Sequence, residues 1–362
     1  MTELKIIELK AIDLPEFREI RGKDYVSYGA DNLFPQKLIE LSQKSAIHST
    51  AIQSKLDAVI GQGIAEYGSV IINSKGETLD DIYKKIAYDY ILFGGFSLNT
   101  IWNKGRDKIA EIYHLPFNKV RSGKLNEEDV VDYYYYSSNW NNTRKYVPKQ
   151  YKAFDPTQNK GDDASQIYYY YDYCPGVDVY PLPDYMGALN DIELDSRVSV
   201  FHNANISNGM SPGLFINFPN GEPTPDERNK LYKDLTNTFA GEKNAGRVFV
   251  TFSEGSELKP EVTTIDSAND DYYIVLEQRI SSRILTAHRI TSGMLVGIKD
   301  NVGLGNNAEE IETAYVHFLS AVIKPIQIPL NRGLQKVINF FDPNITITVI
   351  PNKIDFNTNI IE

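Results

Sequence analysis

Five histidines (His48, His114, His202, His288 and His317), one cysteine (Cys174) and the adjacent carboxylates Asp270 and Asp271 are the residues that could carry chemistry in this 362-residue chain. Two imidazoles serve one metal when a helical turn separates them, as in H-x-x-x-H or H-E-x-x-H. The histidines here lie far apart, so a metal would need ligands from distant segments, and one cysteine cannot build a structural zinc site. Cys174 precedes Pro175 in a tyrosine-rich run with no local support for a nucleophile, and reads as a buried thiol. Asp270 and Asp271 stand where a helix begins, and carboxylates suit the positive end of a helix dipole. Gly303 and Gly305 resemble the opening of a dinucleotide loop, but the third glycine and the strand-to-helix context are missing, as is any P-loop lysine motif. No catalytic residue, cofactor or metal is expected, and the chain does not read as an enzyme.

The elements that would position any site are clearest between Asn269 and Phe341. This stretch reads as a long helix (269–290), a glycine-rich break (291–305), a second helix (306–323) and a proline-kinked third (324–341). Upstream, Asn32 to Ile64 carries apolar residues at three- and four-residue steps, with Ser45 placed to cap a second helix and Gly61 and Gly63 to end it. Thr78 caps the next helix, which stops at Gly94-Gly95 and feeds antiparallel strands. Tyr133–Tyr136 and Tyr168–Tyr171 sit in β-favouring runs, where aromatic rings pack on pleated surfaces. Helical spacing returns from Asp184 to about Asn208, then a short strand (LFINF), then a helix from Thr224 to about Ala240 with Pro225 in its first turn. GRVFVTF reads as a strand, and the tail after Pro343 as a strand or two.

Composition sets the outer bounds. With 42% hydrophobic and 23% charged residues the chain is an ordinary globular one, and a single cysteine excludes an intrachain disulfide, as suits a reducing compartment. No apolar run approaches the roughly 20 residues that span a bilayer, so no membrane partner is expected and the chain should stay in the cytoplasm of the cell that makes it. The net charge of −11 argues against tight phosphate binding, which relies on clustered Lys and Arg.

Taken in order, these segments resemble the portal proteins of tailed bacteriophages, in particular the smaller portals of long-tailed phages. The resemblance is carried by NLFPQKLIEL with SAIHSTAIQSKLDAVIGQGI, by AYDYILFGGFSLNTIWNKGRDKIAEIYHLPFNKVR, by GMSPGLFINFPNGEPTPDERNKLYKDLTNTFAGEKNAGRVFVTFSEGSEL, and by LEQRISSRILTAHRITSGMLVG followed by GNNAEEIETAYVHFLSAVIKPIQIPLNRGLQKV. It runs from roughly residue 30 to residue 342. HRITSGMLVG stands where the family commonly has F-G-V-P-P.

The resemblance implies an α+β portal-like fold: a wing of helices and small antiparallel sheets, a helical stem, a short clip, and a crown absent or minimal. Its expected divisions are an arm and wing over 1–182, stem helices with the clip over 183–247, a wing continuation with tunnel helices and loop over 248–342, and a strand tail over 343–362. The implied stem helices are Asp184–Asn208 and Thr224–Ala240, with the clip at Met210–Pro223. The implied tunnel loop spans Gly293 to Asn307, with Lys299, Asn301, Val302, Asn306 and Asn307 as the residues facing DNA.

Further implications are a homo-oligomeric ring of twelve at a capsid vertex, double-stranded DNA passing through it, and the major capsid protein, a terminase and a head-tail adaptor as partners. The implied location is the virion, with the host cytoplasm during assembly. Such a ring would carry a formal charge of about −130, which favours sliding of DNA over adhesion. Lys299, Arg279, Arg283 or Arg289 could supply weak local attraction, against a plainer role for the arginines in salt bridges between subunits. The competing reading is a cytoplasmic enzyme or carbohydrate-binding protein whose tyrosine-rich strands line a cleft.

Overall fold

The computed structural model describes residues 15–157, 164–207, 213–218, 224, 226–227, 230, 248–252, 261–265, 270–290, 292–296 and 307–352. The chain divides into two compact units: residues 1–192 with 283–362, and Glu193–Ser282. These limits differ from the expected breaks after 182 and 247. Both fall inside long helices, Leu189–Ser207 and Asp270–Ala287, where no glycine, proline or change of composition marks a border.

The first unit is built on three N-terminal helices and a mixed sheet. Helices α1 (Phe34–Lys44) and α2 (Ala46–Ile60) meet at Ser45, whose hydroxyl accepts from the His48 N–H at 3.2 Å and so satisfies one free donor of the new helix. Helix α3 (Leu79–Phe93) starts at a full capping box: the Asp81 N–H donates to Thr78 Oγ1 and the Thr78 N–H donates to the Asp81 carboxylate. It ends at Gly94, φ +85°, where a Cβ would stand 2.6 Å from the Leu182 carbonyl. Both the left-handed backbone and the close approach require glycine there.

Strands β1 (Phe17–Glu19) and β2 (Val26–Tyr28) form a small antiparallel pair. The larger sheet contains β3 (Gly95–Trp102), β4 (Ile109–His114), β5 (Val120–Ser122), β6 (Tyr133–Tyr136), β7 (Lys149–Ala153) and β8 (Ser165–Tyr171), in the order β4-β3-β8-β7-β6-β5. The two tyrosine runs form strands, as their β-favouring sequences suggest, but do not pair with each other. Instead β7, whose sequence KQYKA has no apolar alternation, lies between them and runs parallel to β8 through Lys152–Gln166 and Ala153–Ile167.

Arg121 closes one end of this sheet. It is fully buried, its guanidinium lies 4.7 Å from the centre of the Trp140 ring, and Tyr28 and Tyr180 stack at 3.9 Å beside it. Its Nε donates to Asn32 Oδ1 at 2.7 Å. Its Nη1 reaches the Asn118 and Val120 carbonyls at 3.0 and 2.8 Å, and its Nη2 reaches the Asn32 carbonyl at 2.7 Å. Among the described residues no carboxylate pairs with it, and burial lowers its pKa. The charge is held by oriented neutral oxygens and ring faces.

In the second unit, β9 (Gly213–Phe218) is flanked by β10 (Val248–Phe252), parallel to it, and β11 (Glu261–Ile265), antiparallel. The first two strands match the sequence reading. β11 was not expected, because EVTTI alternates too little to stand out. Of the expected helix from Thr224 to Ala240 only Thr224, Asp226, Glu227 and Lys230 are described, and the Glu227 N–H donates to Thr224 Oγ1 at 3.4 Å as a cap would have it.

Helix α4 (Leu189–Ser207) leads into the second unit and helix α5 (Asp270–Ala287) leads out of it. Helix α6 (Asn307–Phe318) then passes through a π turn (Leu319–Ile323) into α7 (Lys324–Phe341) with no break. The sequence suggested two helices and a proline kink. Pro325 lies in the first turn of α7, where its missing N–H would otherwise have bonded the Ala321 carbonyl. The wider π turn, with the Lys324 N–H donating to Leu319, carries the chain past it.

Helix α7 crosses β3 and β8 at Gly333, where a Cβ would come within 2.9 Å of Tyr170 and 3.0 Å of Phe96. Leu330, Leu334, Val337 and Ile338 are fully buried along the same helix. The tail was expected as one or two strands; its described residues make a single bridge, Val349 to Ile64, with the Gln62 N–H donating to the Ile350 carbonyl at 2.8 Å. The architecture is α+β, as expected, and no described helix is long and apolar enough to cross a membrane.

Candidate functional site

The segment expected to touch DNA starts at the C-terminus of α5. Ile280, Ile284 and His288 recur at four-residue steps and all are buried, so one face of the helix is apolar down to its last turn. The helix closes with the Ile290 N–H on the Leu285 carbonyl and the Arg289 N–H on Thr286, both at 2.9 Å. This is a Schellman ending, with Arg289 at φ +59° in the left-handed position that glycine usually takes. The arginine brings something glycine lacks: its Nη2 donates at 2.7 Å to the Ala321 carbonyl, the group that Pro325 leaves without its usual helical donor. The two segments that bracket 291–306 are thus tied together at Arg289 and the π turn.

A short 3-10 turn, Gly293–Val296, follows, with Gly293 and Val296 buried. Lys299, Asn301, Val302 and Asn306 lie outside the described residues. Asn307 is the first residue of α6, within the second helix read over 306–323 and at the edge of the implied tunnel loop. Among the arginines, Arg283 pairs with Asp191 at 3.3 Å, Arg289 is engaged by Ala321, and Arg279 is exposed. Two of the three are therefore already committed within the chain.

The chemical groups set aside in sequence are brought together differently from what spacing indicated. His48 and His288, 240 residues apart, share a hydrogen bond of 2.8 Å, and Tyr185 lies against both rings. No local spacing could have signalled this pair. His114 Nε2 meets Asp89 at 2.7 Å, and that carboxylate also accepts the Phe117 N–H at 3.1 Å, so it anchors a turn. Cys174 is half-buried in the loop after β8 rather than buried in a strand. It lines a cavity of about 310 Å³ with Lys55, Tyr90, Asp172 and Asp184. Among the described residues no group of three His, Cys, Asp or Glu side chains could hold a metal ion.

The tyrosine-rich strands do border a cavity, of about 610 Å³, which includes Tyr133, Tyr134, Tyr168, Tyr169 and Tyr171. Their rings are largely spent on one another: Tyr134 stacks on Tyr169 at 4.9 Å, and Tyr169 on Phe117 at 4.8 Å. Burial pushes the phenols of Tyr134, Tyr168 and Tyr169 upward, so they stay protonated and structural.

A six-stranded sheet packed with tyrosine rings, and long helices that flank a three-stranded mixed sheet in sequence, make up the described part of the chain. The phage portal protein family matches residues 74–359, most of the chain, and the chain belongs to that family, which is structural and not catalytic. It is 27% identical over 145 residues to the "Probable portal protein" of Haemophilus phage HP1, covering 39% of this chain and 41% of that one. It is 20% identical over 236 residues to the "Probable portal protein" of Escherichia phage P2, covering 65% and 62%. The matches thus span less than two thirds of either relative. In fold it is similar, at a TM-score of 0.55 and 16% identity, to a chain in the neck of a native gene transfer agent particle computed with C12 symmetry, over 89% of this chain and 86% of that one. The fold is portal-like, and the enzyme or carbohydrate-binding alternative has no support.

Proposed function

We propose that this chain is the repeating subunit of a portal ring at a capsid vertex, and that double-stranded DNA passes through the ring during packaging and ejection. The observation that carries the reading is the likeness over nearly the whole chain to a subunit of a twelve-fold neck, within a family of portal proteins. Aliphatic side chains left on helix surfaces fit it: Val200 is 67% exposed, Val275 63% and Val316 58%, and a neighbouring subunit would cover such positions. A closed ring needs head-to-tail contacts of this kind between different faces of identical chains. The net charge of −11 per chain suits a bore along which DNA slides.

In this reading α4 and α5 are the stem helices and the three-stranded sheet between them belongs to the clip. That moves the second stem helix from the Thr224–Ala240 segment first favoured in sequence to Asp270–Ala287. The residues from Gly293 to Asn307 form the tunnel segment, with Lys299, Asn301, Val302 and Asn306 nearest the DNA. A terminase, the major capsid protein and a head-tail adaptor are the expected partners. The chain itself hydrolyses nothing, and it assembles in the host cytoplasm before residing in the virion.

Electron microscopy of the purified protein tests the ring directly. Ring-shaped particles with a central pore support it, and monomers or dimers at tens of micromolar, with capsid partners present, overturn it. Deleting Val302–Gly305 should leave rings intact and impair packaging or retention of DNA. Loss of rings in that variant would make the segment a structural seam instead.

A further inference from the structure

The buried polar groups that the fold leaves unexplained converge on one place in the first unit. His48 lies in the first turn of α2 and His288 directly follows α5, and both are fully buried. Their one shared hydrogen bond, Nδ1 of His48 to Nε2 of His288 at 2.8 Å, uses one donor and one acceptor. Among the described residues His48 Nε2 and His288 Nδ1 have no partner. Whichever ring donates, one of these outer nitrogens carries a buried N–H with nothing to receive it. Tyr185 packs its ring against both, 4.5 Å from His48 and 5.0 Å from His288, and fixes its own hydroxyl on the Leu92 carbonyl at 2.6 Å.

We propose that the His48–His288 pair is an acid-released latch that holds the end of α5, and the turn after it, onto α2.

The single bond requires that at least one ring be neutral, because two imidazolium rings have only donors. A proton added to either ring would sit in an apolar pocket close to Lys55, which is itself 1% exposed on the same helix and has no hydrogen bond or ion pair among the described residues. Burial first, and the Lys55 charge second, hold His48 down to about 3 and push His288 down as well. Lys55, lowered to about 8 by its own burial, is acted on in turn by Asp184 from the segment before α4 and by Arg289 from the turn. α3 contributes Asp89, engaged by His114, and Tyr90, engaged by Asp172. The Gly293–Val296 and Leu319–Ile323 turns, which also pack on α2, carry no titratable side chain, and no charged group of α1 or α7 acts on either ring.

The sign follows from these directions. Both imidazoles bind protons less readily when the latch is closed than when it is open and hydrated, where they titrate near about 6.5. The closed state is therefore fully favoured above that pH and loses ground as pH falls below it, down toward the closed-state value of about 3 for His48. Opening takes up as many as two protons. The ratio of closed to open molecules should then fall by up to about 100-fold per pH unit below 6.5.

Hydrogen exchange of the assembled protein, corrected for the intrinsic effect of pH on exchange, reads this ratio in peptides covering residues 280–296 and 46–60. The expected result is stable protection of the last turn of α5 from pH 8 to 7 and a steep loss between pH 6.5 and 5, while α3 stays protected. The double variant His48→Leu/His288→Phe should exchange at a rate independent of pH over that range. Lys55→Met should shrink the response, since it removes the charge that opposes protonation. Should the double variant fail to fold, Lys55→Met and His48→Gln carry the test. Protection that does not change between pH 8 and 5 in the parent overturns the latch, as does an unchanged pH response in the histidine variants.

Discussion

Replacing Arg121 by lysine keeps the buried charge and removes only the fork that distributes it. The guanidinium makes four hydrogen bonds of 3.0 Å or less to three residues, Asn32, Asn118 and Val120, and a longer one of 3.4 Å to Gln36. An ammonium offers three donors from one point, and the acceptors here are spread around a plane that it cannot span. At least two of the short bonds are lost, at about 1.5–3 kcal/mol for each bond to a charged group. The contact of the flat cation with Trp140, worth about 0.5–2 kcal/mol, goes with them. The expected loss is about 3.5–8 kcal/mol, which for a unit of this size lowers Tm by roughly 10–20 °C. Calorimetry with a denaturant titration measures it, and Arg121→Met provides the comparison in which the charge is removed as well. A lysine variant within about 0.5 kcal/mol of the parent would refute the claim that planar geometry, rather than charge alone, closes this end of the sheet.

Gly333→Ala adds helix propensity worth about 1 kcal/mol, but its Cβ enters rings at 2.9–3.0 Å, and overpacking of that kind costs about 1–3 kcal/mol. The net effect should be destabilising by about 1 kcal/mol in denaturant unfolding, and a stabilised variant would mean that Tyr170 yields freely. Thr78→Ala removes the hydroxyl half of the α3 capping box, leaving the backbone N–H of residue 78 on the Asp81 carboxylate, and should cost about 1 kcal/mol. The Asp81 pKa, held down first by the Thr78 N–H and then by its hydroxyl, should rise by the hydroxyl's share only in an NMR titration. An unmoved Asp81 would show that the box does not persist in solution.

What could be read in the sequence was local. Ser45 and Thr78 cap the helices they were expected to cap, and Gly61 and Gly94 end helices with positive φ because the backbone there needs it. The tyrosine runs form strands because alternate rings find partners on the sheet faces. What escaped was set by distant partners. β7 and β11 lack apolar alternation and exist because β6, β8 and β9 present edges to them. Arg289 in a left-handed position looks like a mid-helix residue until the Ala321 carbonyl, 32 residues on, is known to need a donor. The His48–His288 pair has no spacing at all in the usual sense. The assignment of Lys299, Asn301, Val302 and Asn306 rests on order of segments alone, since these residues lie outside the described residues.

The π turn at Leu319–Ile323 also acts as a phase shifter. A π turn accommodates one residue more than an α-helical path of the same reach, and each residue advances an α-helix by about 100°. Everything from Lys324 onward is therefore rotated by that step relative to a helix without the bulge. Trimming one residue from the bulge would set Pro325 against an α-helical turn and swing Gly333 off the Phe96 and Tyr170 rings, delivering a larger neighbour in its place. The single surplus residue keys α6 and α7 to different surfaces, so this part of the chain should tolerate substitutions at 319–323 far better than any change in their number.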